Sequence, residues 1–272
     1  MKLKLSIHNG LGDVVKLFPF INELLLNDYD ITLQTCWPNH PLVKYFFNDK
    51  IKYENWDNHW YHHYDERFSK VINLNFLYEF NNICTWYNFD NERPMGIYPV
   101  IAYLFRYNGI DRHHFFPKEL SPSYTFKKVR DFTDGVYIFT KSTAGNRTLP
   151  DELVNKLIKH YEDNDQVRIN HEFTDTAIMA HIINNAKFVI TVDSGPLHIA
   201  EACQTPYHAL LTVNGYQKFM QYYKFGEYTY SSIDCSPCNW HHNSCLKFGL
   251  TNYECQNGFS FEFLKDLIDS KL

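Results

Sequence analysis

Three short stretches of the sequence place polar residues and glycines directly after apolar runs, where a ligand could bind. In the first, the run KFVITV is followed by Asp193, Ser194 and Gly195 and then by a predicted helix. A glycine lets a ligand approach the backbone, and a helix N-terminus favours an anion. The same residues also suit an ordinary strand-to-helix turn in which Asp193 or Ser194 caps the helix.

The second stretch is TKSTAGNRTLP, at residues 140–150. Here Ser142, Thr143 and Arg147 follow a predicted strand, and Pro150 stands at the start of a predicted helix. An arginine beside hydroxyls and free amides can neutralise a diphosphate and donate several hydrogen bonds to it. The alternative interpretation is a solvated polar loop.

The third stretch is HNGLGDVVKLFPF, at residues 8–20, with a helix predicted to begin at about Asp13. Gly10 and Gly12 allow the backbone to pass close to a ligand. The dinucleotide fingerprint is excluded because its third glycine is absent and the next strand ends on Thr35-Cys36 instead of an acid. Asp13 is either a helix cap or a carboxylate that acts as a general base.

The elements that must position these residues alternate between short apolar strands and amphipathic helices. Such alternation predicts parallel sheets that are covered on both faces. Helices are predicted between the first two strands and at residues 152–161 and 175–185. The predicted strands are KLSIH near the start, ITLQTC at 31–36, KVINLNF at 70–76, GVYIFT at 135–140, QVRIN at 166–170, KFVITV at 187–192 and HALLTV at 208–213.

A polar section at about 113–134, with two prolines, precedes a fresh series of strands and helices. We therefore place a domain boundary between residues 130 and 131. The predicted fold class is α/β, with two doubly wound domains, 1–130 and 131–272, that face a central cleft.

The composition is that of a folded protein, with 44% hydrophobic and 21% charged residues. A net charge of -5 gives no general attraction for nucleic acid or an anionic membrane. The sequence shows neither a membrane span nor a signal peptide. The cysteine count of 7 is odd, which favours a reducing cytoplasm over a disulfide framework. We therefore expect a cytoplasmic protein.

Four of the cysteines are clustered and form a weak candidate for a zinc site. Their spacing is not that of a common zinc finger, so partly buried free thiols are the main alternative. The four residues are Cys235, Cys238, Cys245 and Cys255.

The chain resembles glycosyltransferase family 9, the ADP-heptose:lipopolysaccharide heptosyltransferases and their relatives. The resemblance rests on LSIHNGLGDVVKLFPFINELL, KSTAGNRTLP and VDSGPLHIAEA, in this order, and the segment CSPCNWHHNSC…YEC is also similar to many members. It implies a GT-B fold of two Rossmann-like domains, with the donor nucleotide sugar bound mainly by the C-terminal one. It also implies an inverting transfer that requires no metal cofactor.

The resemblance implies a role for each matched position. Asp13 corresponds to the catalytic base, and Arg147 stands where a lysine is common. The acidic residue for the donor ribose is hard to place, and Glu172 is the nearest candidate. The donor-binding set is Ser142, Thr143, Arg147, Glu172, Asp193, Ser194, Gly195 and His198, and the acceptor-side set is Asn9, Gly10, Gly12, Trp60 and His62.

The acceptor is open between two chemical classes. Family analogy favours a cell-envelope glycan such as a lipopolysaccharide core sugar. The second class is a hydroxymethylated base in DNA, modified by a phage enzyme in the host cytoplasm, since the aromatic segment WDNHWYHHYDERF at 56–68 could stack on an extruded base. A third hypothesis is a non-catalytic module that binds nucleotide sugars, but Asp13 at the position of the base favours an enzyme.

Overall fold

The structure is a computed structural model that describes residues 1–7, 10–36, 39–55, 70–73, 135–170, 175–215, 223–238 and 253–272, with residues 70–73 described by their backbone alone. It divides into two compact units. One holds the described residues up to 73, and the other holds most of those from 135 onward. Within the described ranges, no helix has the length and apolar character needed to cross a membrane. The predicted boundary between residues 130 and 131 lies outside these ranges and stays a prediction.

The first unit is built on a parallel sheet with the strand order β3-β2-β1-β4. The three predicted strands are present, and a short edge strand that the sequence analysis missed is added to them. The strands are β1 (Lys2–Ser6), β2 (Asp30–Thr35), β3 (Lys52–Asn55) and β4 (Lys70–Asn73).

The predicted first helix is interrupted at Leu17. It forms α1 (Leu11–Lys16) and α2 (Phe18–Leu26), because Pro19 begins a new helix in the first turn of α2. The start predicted at Asp13 is wrong by two residues, since Gly10 holds the N-cap position. A further helix, α3 (His40–Phe47), packs Phe46 and Phe47 against Phe18.

Strands β1 and β2 are less apolar than predicted, although they are buried. Leu3 and Leu5 point to one face, whereas the buried Lys4 and Ser6 alternate with them. Each polar side chain has a partner: Lys4 Nζ lies 2.8 Å from Glu54 Oε2, and Ser6 Oγ donates to Gln34 Oε1 over 2.6 Å. Buried polar groups are tolerated here because they are paired.

The second unit has a parallel five-stranded sheet with the order β6-β5-β7-β8-β9. Its four predicted strands are confirmed, and β9 is again an edge strand that the sequence analysis missed. The strands are β5 (Val136–Phe139), β6 (Val167–Asn170), β7 (Phe188–Val192), β8 (Tyr207–Leu211) and β9 (Gly226–Tyr230).

The helices of this unit follow the strands in the expected alternation. The helices predicted at 152–161 and 175–185 are found within a residue of those bounds, the helix predicted after Ser194 is present, and one further helix follows at Phe261–Asp269. They are α4 (Asp151–His160), α5 (Thr176–Asn185), α6 (Gly195–Ala202) and α7 (Phe261–Asp269). Short 3-10 turns occupy Gly145–Arg147 and Glu254–Gly258.

Glu201, a fully buried carboxylate, lies at the amino ends of β8 and β9. It accepts hydrogen bonds from the Tyr207 hydroxyl at 3.0 Å and from the backbone N–H groups of Lys224 at 2.8 Å and Phe225 at 3.1 Å. Burial raises the pKa of Glu201 in spite of these donors. Gly226 lies against the Tyr207 ring, where an added Cβ would come within 2.1 Å of a ring carbon. This cluster joins α6 to both strands.

Candidate functional site

Both sheets have a switch point, where the chain leaves successive strands in opposite directions. In the second unit it lies between β5 and β7, because β6 is added on one side and β8 and β9 on the other. Ligands of open α/β sheets bind in the crevice that forms there, beyond the carboxyl ends of the strands. The segment 140–150 follows β5 and Asp193 follows β7, so both predicted donor segments leave this switch point.

Arg147 and Asp193 meet at this place. Arg147 Nη1 lies 3.3 Å from Asp193 Oδ2, and Asn214 Nδ2 donates to the same oxygen. The Asp193 side chain is 2% exposed and that of Arg147 is 25% exposed. The buried carboxylate is thus compensated, while part of the guanidinium stays accessible to an incoming anion.

The segment carrying Arg147 is ordered by its own hydroxyl groups. The Ser142 N–H donates to Thr148 Oγ1 over 3.0 Å, and the Ala144 N–H donates to Ser142 Oγ over 3.4 Å. Ser142 is half-buried, and Thr143 is exposed. The alternative of a merely solvated loop does not describe this segment, because it has a defined internal hydrogen-bond pattern.

Two later parts of the chain hold the 3-10 turn at Gly145–Arg147 from outside. Thr212, just after β8, donates its hydroxyl to the Asn146 carbonyl over 2.8 Å. Gln256 donates its side-chain amide to the Gly145 carbonyl, and Cys255 Sγ lies 3.7 Å from the Asn146 carbonyl oxygen. The position of Arg147 therefore depends on residues far away in sequence.

Helix α6 begins at Gly195, with Ser194 in the N-cap position. No side chain makes a capping hydrogen bond there, because Ser194 Oγ donates to the Val192 carbonyl at 3.3 Å. Ser194 thus holds the N-cap position, as the strand-to-helix interpretation predicts, but its side chain does not cap the helix. The backbone N–H groups of Ser194 and Gly195 stand at the positive end of the helix dipole, and His198 is buried one turn further on.

Asp13 lies in the first turn of α1, after the switch-point strand β1 of the first unit. Asp13 is not the helix cap, because Gly10 holds the N-cap position. Lys16 Nζ donates to Asp13 Oδ1 over 3.0 Å, with 28% of the Asp13 side chain and 10% of the Lys16 side chain exposed. Gly10 has open space where a Cβ would point, and Gly12 lies within the helix.

Several predicted site residues lie outside the described residues, and their assignments stay predictions. They are Asn9, Trp60, His62, Glu172 and Cys245.

Of the remaining zinc candidates, Cys235, Cys238 and Cys255 form no disulfide bond with one another. Within the described part of the chain, no three His, Cys, Asp or Glu side chains are grouped in a way that could hold a metal ion.

Sequence reasoning missed Asn214, Thr212 and Gln256. A usable signal existed for Asn214, because Asn214-Gly215 directly follows the apolar run HALLTV, at the carboxyl end of a predicted strand. Gln256 carried no such signal, since only the folded chain brings it to Gly145.

Residues 151–248 match the model of glycosyltransferase family 9 (heptosyltransferase). A comparison with curated protein sequences finds no match.

Solved structures with the same fold include three bacterial glycosyltransferases. E. coli heptosyltransferase WaaC, solved with ADP-2-deoxy-2-fluoro heptose, has a TM-score of 0.65 and 11% identity over 100% of both chains. E. coli ADP-heptose lps heptosyltransferase II has a TM-score of 0.66 and 13% identity over 100% of this chain and 98% of its own. The iron-containing dodecameric glycosyltransferase TibC of enterotoxigenic E. coli has a TM-score of 0.63 and 13% identity over 99% of this chain and 78% of its own.

The GT-B fold class expected from the sequence is thus confirmed, with a parallel α/β sheet in each unit. The family model covers the segment that contains Asp193 and the start of α6. The chain thus combines a segment, residues 151–248, that matches the family 9 model with a fold shared by solved heptosyltransferases, and in these respects it is heptosyltransferase-like.

Proposed function

We propose that the protein transfers a sugar from a nucleotide-diphosphate sugar to an acceptor hydroxyl, with inversion at the anomeric carbon and without a metal cofactor. The observation that carries the proposal is the pairing of a partly exposed Arg147 with a buried Asp193 at the switch point of the second sheet. A cation and a carboxylate side by side suit the two halves of such a donor, the diphosphate and the sugar hydroxyls.

On the donor side, Arg147 neutralises the diphosphate, and the Ser142 and Thr143 hydroxyls add hydrogen bonds. The Ser194 and Gly195 amides bind phosphate oxygens at the start of α6. Asp193 accepts hydrogen bonds from the sugar hydroxyls, while His198 completes the motif behind it. WaaC was solved with an ADP-sugar analogue and TibC with ADP-D-beta-D-heptose, which makes ADP-sugars the first donors to test.

The chemical step is a single displacement. The acceptor oxygen attacks the anomeric carbon, its proton passes to the Asp13 carboxylate, and the bond from that carbon to the diphosphate oxygen breaks. The electron pair of the broken bond leaves with the diphosphate, where Arg147 and the start of α6 stabilise the new charge. Because attack and departure take place on opposite faces of the sugar, the configuration inverts.

Replacing the proposed base tests the reaction directly. We expect Asp13→Asn to keep donor affinity and to lower turnover by about 100-fold or more, since general-base assistance is typically of that size. Turnover is measured as nucleoside diphosphate release from a panel of ADP- and UDP-sugars in the presence of acceptor.

Asp30→Asn is the matched control, because Asp30 on β2 forms an exposed ion pair with Lys52 on β3 and has no role in the proposed step. Turnover close to normal in Asp13→Asn contradicts the assignment of the base. A wild-type protein that binds nucleotide sugars but neither transfers nor hydrolyses any of them would support the non-catalytic binding module instead.

Independence from metal is tested with the purified enzyme in excess EDTA. We expect full activity to remain, since Arg147 and the backbone amides supply the charge stabilisation that a metal gives in other transferases. Activity that disappears with EDTA and returns with Mg²⁺ or Mn²⁺ contradicts this part of the proposal.

A further inference from the structure

Asn214 is a buried amide whose hydrogen bonding is only half satisfied. Its side chain is almost fully buried, and its Nδ2 donates to Asp193 Oδ2. Its Oδ1 is inaccessible to solvent and has no hydrogen-bond partner among the described residues. An unpaired buried oxygen costs about 1–3 kcal/mol, so this asparagine is not explained by stability alone.

The segment that contains Asn214 contacts both Asp193 and the turn that carries Arg147. Thr212 and Asn214 are two residues apart in the short segment after β8, and each reaches a different half of the proposed donor site. Thr212 holds the turn that carries Arg147, through the Asn146 carbonyl. Asn214 holds the carboxylate of Asp193.

Asn214 and Arg147 contact the same oxygen of Asp193, but they differ in exposure. The Arg147 contact is a single one of 3.3 Å from a partly exposed side chain, whereas Asn214 is buried and adjoins a sheet strand. A guanidinium that turns toward a diphosphate weakens its contact with Asp193. The amide then remains as the partner that fixes the direction of the carboxylate.

We propose that Asn214 is a positioning residue that orients the Asp193 carboxylate toward the donor sugar, independently of the diphosphate contacts made by Arg147. This inference rests on the proposed function, since it assigns the sugar half of the same donor site. It makes Asn214 a determinant of affinity for the sugar and leaves the nucleoside diphosphate to other residues.

Two variants test whether Asn214 acts by donating a hydrogen bond or only by packing. Asn214→Leu keeps the branching at Cγ but cannot donate at any pH. Asn214→Asp keeps the shape and donates only when its new carboxyl is protonated. The Asp193 carboxylate contacts this position, and Arg147 contacts the same Asp193 oxygen. Arg147 offsets the negative charge of Asp193 alone. The new carboxylate at position 214 is therefore repelled by Asp193, which raises the pKa of the new carboxyl above its usual value.

The experiment is calorimetric titration of each variant with ADP and with ADP-glucose as probes, from about pH 8 down to about pH 5, a range that spans titration of a carboxyl whose pKa is raised above its usual value. At the upper pH, we expect both variants to lose affinity for the sugar nucleotide about 10- to 100-fold, as removal of a charge-assisted hydrogen bond predicts. Affinity for ADP should remain close to that of the wild type. Asn214→Asp should recover as the pH falls, whereas Asn214→Leu should not.

Wild-type protein at each pH accounts for the titration of other groups. Thr212→Val is the contrasting variant, because it loosens the turn that carries Arg147 and should weaken the binding of ADP and ADP-glucose together. Thermal unfolding confirms that each variant is folded.

Equal losses for ADP and ADP-glucose in the Asn214 variants overturn the inference, and so does the absence of acid recovery in Asn214→Asp. If wild-type protein binds both probes and Arg147→Ala weakens both, the proposed donor site stands even though the role of Asn214 fails. If the wild type binds neither these probes nor the corresponding UDP and GDP compounds, both proposals fail.

Discussion

At the scale of single residues, the site is governed by how few groups compensate the buried carboxylate of Asp193. Arg147 and Asn214 are its contacts among the described residues, and Arg147 is the only one of the two that carries charge. A buried ion pair gives little net stability, since desolvation offsets much of the attraction. In the proposed function, the Arg147–Asp193 pair instead keeps a partly exposed guanidinium where an incoming anion can reach it.

Removing that cation should weaken nucleotide binding. We expect Arg147→Ala to lower the affinity for a nucleoside diphosphate by about 1.5–3 kcal/mol, the usual size of a charge-assisted contact. Calorimetry with ADP measures the loss. Lys156→Ala is the control, since it removes an equal charge from an exposed i,i+4 pair on α4. Unchanged affinity in Arg147→Ala means that the segment 140–150 is not the phosphate site.

The buried carboxyl of Glu201 leads us to a separate prediction about how the free energy of unfolding depends on pH. Its pKa is raised by burial above the ordinary value of 4.5, so the folded protein holds this proton more tightly than the unfolded chain. The stability that this group contributes is therefore fully present below that ordinary value and is lost as the pH rises through the raised pKa. Glu201→Gln cannot titrate and should lack this part of the pH dependence.

The measurement is the free energy of unfolding of both proteins in urea at several pH values. The advantage of the wild type over Glu201→Gln should be largest at acidic pH and shrink toward neutral pH. A difference that is constant with pH contradicts the raised pKa. Glu201→Gln should be less stable throughout, because its NH2 group faces donors where the carboxylate accepted hydrogen bonds.

At the scale of elements, the close approach of β9 to β8 requires a glycine. Gly226→Ala places a methyl group too close to the carbon atoms of the Tyr207 ring. We expect the free energy of unfolding to fall by about 1–3 kcal/mol, the usual cost of overpacking a core. Gly10→Ala is the matched control, since open space surrounds that position and its φ of -62° suits any residue. Equal unfolding midpoints for the two variants would refute this account.

The strands show which elements a sequence can predict. Those in the interior of the sheets were recognisable from their apolar runs. The strands missed, β3 and β9, both lie at sheet edges, where KYEN and GEYTY mix charged residues with exposed tyrosines. An edge strand has a neighbour on one side only, so its residues carry a weaker hydrophobic pattern.

The same limit applies to the site. Asp193 and Arg147 were predictable, because each lies in the polar segment that directly follows an apolar strand. Asn214 acts through a residue 21 positions away and Gln256 through one 111 positions away, so neither role is visible in a local pattern. At α1 the sequence left Asp13 open between a helix cap and a general base, and the structure excludes the cap, since Gly10 is the N-cap and Asp13 is paired with Lys16.

At the scale of the whole molecule, the net charge of -5 bears on the choice of acceptor. A protein with this balance gains little from the phosphate attraction on which most DNA-binding proteins depend. We therefore expect labelled nucleotide sugars to be transferred to lipopolysaccharide core acceptors and not to hydroxymethylated duplex DNA. Transfer to DNA that weakens steeply with added salt would reverse this ranking.

The contact between Gln256 and the Gly145 carbonyl also sets an order of events during protein synthesis. The ribosome makes Gly145 first and must add another 111 residues before Gln256 exists. At the usual rate of about 5–20 residues per second, this takes about 5–20 s. During that interval the nascent chain lacks the brace on the turn that carries Arg147. The proposed diphosphate site is therefore completed late, after the strands that frame it have been synthesised.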